Sequence, residues 1–431
     1  MRTVTDLRAT LTGALSGGLS SALSSALSGR TGAYLGGLAG QGFNFLAMLV
    51  ALALAPSYAV VNLVLTAAIA TSLLQFGVLA LTTTYPVFAR REEARDALVA
   101  SWCFLVLVGV LTLGVGVVLL RLGYAVGAAV CFSPVLLVTM ALDSTIVAEF
   151  VRHQNALGVA RNRFRYGTLN LVITTVVAAT SDWAWSLVAS GAAVYLATAV
   201  WVFHSSGMRW SRVAAGAATA RPGPVARYAV RNVAHASSYL VNGAANQVSA
   251  FALPGLGRAA GPWAAMTSIA GGFGSVLFQL VVPAVDSSVA EQVRSGRSSG
   301  RGRTVTLGVL AGLGLAAVAV TVAVAGTYLF GYFDQVSRGQ GVSVVVALVL
   351  YWGSAIAITP ISHVMSLVGM RVVRIVWDYT RAVALFGVLL LGPGGVATLV
   401  WLGVVSLVFA VVHVALVLLV PARAAAVAPV E

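Results

Sequence analysis

Long apolar runs alternate with short polar segments along most of this chain. A helix needs ~20 apolar residues to cross the ~30 Å hydrocarbon layer of a membrane. The runs have about this length, so the pattern predicts an all-α polytopic membrane protein. We place about twelve transmembrane helices at 34–55, 58–82, 97–120, 124–150, 166–180, 183–203, 229–253, 261–285, 305–330, 342–367, 373–391 and 396–420.

Landmarks of the first helix pair recur in the seventh and eighth helices. Asn44 and Asn242 are separated by 198 positions, and so are Pro56 and Pro254. Six crossings return the chain to the side on which it began, so a second set of six enters in the same orientation. The spacing therefore predicts two six-helix bundles related by a parallel pseudo-two-fold axis.

The polar segments outside the helices divide the chain further. Gly, Ala, Pro and Arg without an apolar period are typical of a linker. We assign 1–30 to a flexible or in-plane N-terminal segment, 31–203 to the first six-helix bundle, 204–228 to a cytoplasmic linker, 229–420 to the second six-helix bundle and 421–431 to the C-terminal tail.

Charge supports this topology. The chain is 59% hydrophobic and 9% charged, and its formal net charge is +14. All but Arg121, Arg258 and Arg338 of the 26 basic residues fall on one predicted side of the membrane. Because cytoplasmic loops are enriched in arginine, both termini are predicted to be cytoplasmic. The positive charge then needs no nucleic-acid partner.

Sequence signals for an enzyme are missing. The chain has no phosphate-binding loop with Gly-Lys-Ser/Thr, no metal-spaced His/Cys set and no Ser-His-Asp order. Cys103 and Cys131 lie inside apolar runs, which is typical of small buried hydrophobic residues. The sequence predicts a protein without catalytic activity, cofactor or bound metal.

Four stretches carry a family resemblance. They are GFNFLAMLVALALAPSYAVVNLVLTAAIATSLLQFGVLALTTTYPVFARRE (42–92), EFVRHQNALGVARNRFRY (149–166), LFQLVVPAVDSSVAEQ (277–292) and PISHVMSLVGMRVVRIVWDYTRAV (360–383). In these stretches the chain resembles the MOP flippase superfamily, which has a MATE-like fold. It resembles especially the polysaccharide-subunit transporters of the O-antigen flippase type.

The resemblance implies a transporter of the cytoplasmic (inner) membrane with a central cavity. Such a protein flips a lipid-linked oligosaccharide from the cytoplasmic to the outer leaflet by alternating access. The implied partners are a lipid-linked saccharide on an anionic diphosphate carrier, membrane lipids, and glycosyltransferases or a polymerase of the same pathway.

Three alternatives stay open. One is a cation-coupled multidrug exporter of the same superfamily. Another is a major-facilitator-type transporter, although ARREEARD (89–96) stands where that family usually has a Gly-x-x-x-Asp-Arg motif. The last is a scaffold for envelope synthesis without transport activity.

Amides within the apolar runs are the first candidates for a substrate site. Gln41 and Asn44 lie in the first pair of helices, and Asn242 and Asn246 lie in its repeat. Asn242 and Asn246 are four residues apart and therefore share a helix face. Their amides suit hydrogen bonds to sugar hydroxyls, and they equally suit hydrogen bonds between helices.

Charged residues near the membrane interior complete the candidate site. Asp143 lies nine residues before Arg152, or ~14 Å along a helix, so we expect its carboxyl group inside the membrane. There it serves either as an ion-coupling group or as a structural partner of an arginine. Arg231 and Arg374 are candidates for binding the diphosphate, and the alternative for both is snorkelling to lipid headgroups.

Overall fold

A computed structural model describes residues 30–81, 85, 91–153, 155–206, 220–294, 301–368 and 370–419. Helices account for nearly all of these residues. They are α1 Arg30–Leu54, α2 Ser57–Gly77, α3 Arg91–Arg121, α4 Val126–Arg152, α5 Ala156–Thr180, α6 Ser186–Ser206, α7 Pro222–Phe251, α8 Ala260–Leu280, α9 Val282–Arg294, α10 Arg301–Leu329, α11 Arg338–Ile361, α12 Val364–Leu367, α13 Arg371–Leu391 and α14 Gly395–Leu419.

Each predicted span falls on one of the twelve longer helices in the described residues. Eight helices are long and apolar enough to cross a membrane. The other four, α5, α7, α8 and α13, do not meet that criterion over their described residues. The count of twelve crossings and the cytoplasmic position of both termini therefore stay predictions.

Helices α5 and α7 show the largest differences between the start that the apolar pattern predicts and the start in the structure. Helix α5 begins at Ala156 rather than at 166, because Asn155 caps it by accepting a hydrogen bond from the Gly158 backbone at 2.7 Å. Helix α7 begins at Pro222 rather than at 229, with a proline at its first position. Hydropathy misses both starts because the first turns are polar.

Several predicted segments lie outside the described residues. These are nearly all of the N-terminal segment 1–30, the part 207–219 of the predicted linker, and the C-terminal tail 421–431.

Helices α1 and α5 cross at two glycines. A methyl group built on Gly167 would overlap the carbonyl oxygen of Gly40, and one built on Gly40 would overlap the backbone of Arg163. Only residues without a Cβ allow helix backbones to approach this closely. This crossing brings polar side chains of the two helices into direct contact one turn away.

The two halves of the chain meet over a large shared core and over a smaller one around Ala236 of α7. The rings of Phe45 in α1 and Phe273 in α8 lie 5.1 Å apart in an edge-to-face arrangement. On the predicted outer side, the buried Tyr332 hydroxyl donates a hydrogen bond to the Leu52 carbonyl at 3.1 Å. Trp263 is completely buried in the same core. The halves are therefore closed against each other on the predicted outer side.

Polar contacts link helices at the predicted cytoplasmic side within each half. The Tyr85 hydroxyl donates to Glu149 at 2.6 Å, and the Arg152 guanidinium lies 5.2 Å from the centre of the Tyr85 ring. Burial, together with the Glu149 carboxylate, raises the pKa of Tyr85, so the phenol keeps its proton. In the second half, Asp286 of α9 and His363 after α11 form a comparable contact at 2.8 Å.

The outer surface of the helices is apolar. On α3, for example, Val106, Leu107, Val110 and Leu111 are all more than half exposed. A continuous apolar face of this kind is unstable in water and stable against lipid tails. Together with the apolar helices, it makes this chain a multi-pass membrane protein.

We expect Gly167→Val to destabilise the protein by about 1–3 kcal/mol or more, because the added side chain overpacks the α1–α5 crossing. Gly42→Val is the matched control, since Gly42 lies on α1 and nothing is within 4 Å of its Cβ position. Thermal unfolding in detergent measures both. Equal melting temperatures for the two variants would contradict the close crossing.

Candidate functional site

A polar cavity lies within the first half of the molecule. This first cavity has a volume of about 370 Å³ and lies between α1, α4, α5 and α6, with Ser275 of α8 at its edge. Its polar lining consists of Gln41, Asn44, Asp143, Ser144, Asn162, Arg163, Tyr166, Tyr195 and Ser275.

Asp143 is held within this cavity by the neighbouring helix. The side-chain amide of Asn162 donates a hydrogen bond to the Asp143 carboxylate at 2.8 Å, and Asn162 itself is almost fully buried. Arg163, the next residue on α5, is close enough to interact electrostatically with this carboxylate. Asp143 thus combines a fixed hydrogen bond, a neighbouring positive charge and access to a cavity.

Asn44 belongs to a chain of hydrogen bonds between α1 and α5. The Asn170 amide donates to the Asn44 side-chain oxygen, and the Thr174 hydroxyl donates to the Asn170 oxygen at 2.9 Å. The Gly40–Gly167 crossing makes this contact possible. Asn44 therefore forms the contact between helices that was one of its two predicted roles, and it also lines the cavity. Its role in substrate binding stays a prediction.

A larger polar cavity lies within the second half. This second cavity has a volume of about 600 Å³ and lies between α7, α8, α11, α13 and α14. Its polar lining includes Asn242, Asn246, Gln247, Ser275, Trp352, Thr359, Ser362, His363, Arg374, Trp377, Asp378, Arg381 and His413.

Helix α13 carries the charged residues of the second cavity on one face. The Arg374 Nε lies 3.7 Å from the Asp378 carboxylate, four residues further along. Arg381 is 7% exposed, and its guanidinium lies 5.4 Å from the centre of the Trp377 ring. The Trp377 ring in turn contacts His413 of α14 at a centroid distance of 5.0 Å.

An irregular turn in α11 shapes the opposite wall. Residues Val349–Gly353 form a π-helical turn, a local widening that often marks functional sites. The turn buries Tyr351, whose hydroxyl donates to the Asn246 carbonyl at 3.1 Å, and it makes Trp352 part of the cavity lining. The break in regular geometry thereby places two aromatic side chains next to each other.

The two cavities meet at Ser275 of α8. This residue lines both, is exposed, and donates a hydrogen bond to the Gln41 side chain at 3.4 Å across the two halves. Val151 at the end of α4 lines the first cavity, and Arg374 at the start of α13 lines the second. Both cavities therefore extend towards the predicted cytoplasmic side.

The structure divides the predicted site residues between the cavities. Gln41, Asn44 and Asp143 line the first cavity. Asn242, Asn246 and Arg374 line the second.

Arg231 is the exception among the predicted residues. It is exposed on α7 and lines neither cavity. The structure thus does not bring it together with the others.

Sequence patterns did not single out several residues that the structure brings into the site. Asn162 and Asn170 come into place through the α1–α5 crossing, and Trp352 through the π-helical turn. A signal existed for Arg381, since it follows Arg374 and Asp378 on the same broad face of α13.

Comparison with known proteins gives one informative match. No protein-family model matches the chain, and no curated protein matches it. A solved structure described as the inward-facing conformation of a multidrug resistance MATE family transporter of the MOP superfamily is similar at a TM-score of 0.58. The sequence identity is 14%, and the match covers 86% of this chain and 92% of that chain.

This likeness concerns the fold alone. It confirms the MATE-like arrangement that the sequence resemblance implied, and it favours that arrangement over the major-facilitator alternative. This multi-pass membrane protein therefore has the fold of a MATE transporter of the MOP superfamily.

We expect cysteines placed in the cavities to be accessible to water. In a background with Cys103→Ala and Cys131→Ala, Ser275→Cys and Asn246→Cys should react with a membrane-impermeant maleimide in inside-out vesicles. Ala264→Cys, at a completely buried position, is the unreactive control. Protection of both cavity positions from either side of the membrane would mean that the cavities are dry.

Proposed function

We propose that this protein is a membrane transporter that moves a lipid-linked oligosaccharide or polysaccharide subunit across the cytoplasmic membrane by alternating access. The observation that carries the proposal is the pair of polar cavities meeting at Ser275 inside an otherwise apolar bundle. Buried polar surface in a membrane protein is costly and marks substrate or ion pathways.

The closure of the molecule supports an alternating mechanism. The two halves are packed together on the predicted outer side, where the Tyr332 hydroxyl bonds to the Leu52 carbonyl. The cavities extend in the opposite direction. A substrate entering from the cytoplasmic leaflet would meet the polar lining first and would leave after the outer contacts separate.

The charge of the second cavity supports an anionic substrate. Two guanidinium groups, Arg374 and Arg381, face one carboxylate, Asp378, and leave a net positive charge. The planar guanidinium matches phosphate and carboxylate groups through two parallel hydrogen bonds. The diphosphate of a lipid carrier is complementary to this positive charge. The amides of Asn242 and Asn246 can form hydrogen bonds to the hydroxyl groups of the attached sugars.

Asp143 is our candidate for coupling transport to a cation gradient. It is a carboxylate within a membrane helix, next to a cavity and hydrogen-bonded to Asn162. A group in this position can bind a proton or a sodium ion and change the contacts between α4 and α5 when it does so. In this proposal the first half binds the coupling ion and the second half binds the substrate.

A cation-coupled multidrug exporter is the second candidate function. The similar solved structure is described as a multidrug resistance transporter, and Asp143 suits cation coupling in either case. The excess of arginine over acidic groups in the second cavity argues against a cationic drug as substrate. Export of cationic dyes from cells therefore separates the two candidates.

Translocation by purified protein tests the proposal directly. In proteoliposomes carrying a fluorescent polyprenyl diphosphate sugar, we expect saturable movement between leaflets that an imposed proton or sodium gradient accelerates. If no such lipid shows saturable movement and cells export cationic dyes, the protein is a multidrug exporter and not a lipid-linked saccharide transporter.

The coupling role of Asp143 predicts a specific defect. Asp143→Asn should lower the translocation rate to the value measured without a gradient, because the amide cannot take up a cation as a carboxylate does. Asp182→Asn, on the exposed turn between α5 and α6, is the matched control. If Asp143→Asn keeps its full gradient dependence, Asp143 is not part of the coupling mechanism. The proposed transport function is not affected by that result.

A further inference from the structure

Several residues that line the second cavity carry buried polar atoms without a hydrogen-bond partner. Ten buried side-chain nitrogen or oxygen atoms in the described part of the chain have no hydrogen-bond partner. Four of them belong to residues that line this cavity: Trp352 Nε1, Ser362 Oγ, Trp377 Nε1 and His413 Nδ1. Because buried polar groups are almost always paired, unpaired ones in the facing walls of a single cavity point to a ligand between them.

The chemistry of these atoms restricts the ligand. An indole N–H can only donate a hydrogen bond, and a serine hydroxyl donates or accepts. The Nε2 atom of His413 lies 3.3 Å from the Ile361 carbonyl and therefore carries the hydrogen, which leaves Nδ1 as an acceptor in the neutral ring. The walls of the cavity together offer up to three donors and at least one acceptor, which is the complement of a molecule rich in hydroxyl oxygens.

Arg381 adds a positive charge to the lining of the second cavity. Its side chain is more than nine-tenths buried in the same cavity. Among the described residues it forms no ion pair within 4 Å. The Asp378 carboxylate interacts with it electrostatically but is shared with Arg374, whose Nε lies 3.7 Å away. A buried cation is stable only with a compensating group, and a guanidinium matches the geometry of an oxyanion.

We propose that the second cavity is a binding site for an oxyanion carried on a hydroxylated ring. In this site Arg381 binds the oxyanion, Trp352 and Trp377 donate their indole hydrogens to ligand oxygens, and His413 accepts a hydroxyl hydrogen. The cavity volume of about 600 Å³ lies within the usual range for small-molecule sites of ~300–1,000 Å³.

Two sources supply this chemistry in a lipid-linked saccharide. One is the diphosphate that joins the sugar to its carrier, and the other is an acidic sugar residue in the saccharide itself. The identification of the ligand as transported substrate rests on the proposed function. The binding of the oxyanion does not rest on that function, and it can be measured on purified protein without any transport.

Isothermal titration of the full-length protein in detergent tests the site with three probes: inorganic pyrophosphate, glucuronic acid and glucose. We expect pyrophosphate or glucuronic acid to bind at least about tenfold more tightly than glucose, because only the anions pair with a buried guanidinium. Preference for pyrophosphate identifies the carrier linkage, and preference for glucuronic acid identifies an acidic sugar.

Variants assign the binding to named groups. Arg381→Gln should weaken anion binding by roughly tenfold to a hundredfold. Trp352→Phe and Trp377→Phe keep an aromatic ring, remove only the N–H donor, and should each weaken binding by about tenfold. The matched control is Arg165→Gln, because Arg165 lies 5.3 Å from the Trp201 ring in a similar stack outside both cavities.

Two results would overturn the proposal: equal binding of all three probes, or unchanged anion binding in Arg381→Gln and in both tryptophan variants. If Arg381→Gln does not fold, the tryptophan variants alone decide. Failure of the proposed function looks different. In that case the anion binds and the variants weaken it, but wild-type protein moves no polyprenyl lipid between leaflets.

Discussion

A polar side chain inside an apolar helix bundle is stable only where another group or a ligand meets it, and this constraint organises the interior of the protein. The surface towards the lipid is apolar, as on α3, so polar residues of the membrane helices turn inward. There they find three kinds of partner: backbone carbonyls of their own helix, side chains of a neighbouring helix, or the open space of a cavity.

The two halves differ in how their buried polar groups are paired. In the first half, Asn44, Asn170 and Thr174 satisfy one another, and Asn162 satisfies Asp143. In the second half, the indole N–H groups of Trp352 and Trp377 lack hydrogen-bond partners in the described residues. Arg381 interacts electrostatically with Asp378 but forms no ion pair within 4 Å in that part of the chain. The amide and carboxylate groups named in the first half thus have partners, although the Asn162 Oδ1 atom has none, whereas two indole groups of the second cavity are unpaired.

Hydropathy located the apolar parts of the long helices but missed the polar first turns of α5 and α7. It also pointed to Asp143 and Arg374, which are conspicuous in such runs. It could not locate Trp352, since an aromatic residue is ordinary in an apolar helix until a π-helical turn places it in a cavity wall. Arg231 shows the reverse error: its position near an apolar run suggested a buried role, but the helix face on which it lies is exposed.

The central claim is that the halves open alternately around the cavities, and spin-label distance measurements test it most directly. One pair, at the exposed positions Leu54 and Leu329, reports on the predicted outer side, and another, at Val151 and Val372, reports on the predicted cytoplasmic side. On addition of a transported lipid-linked saccharide, the account predicts that the outer distance lengthens while the inner distance shortens. Constant distances in both pairs during measurable translocation would contradict it.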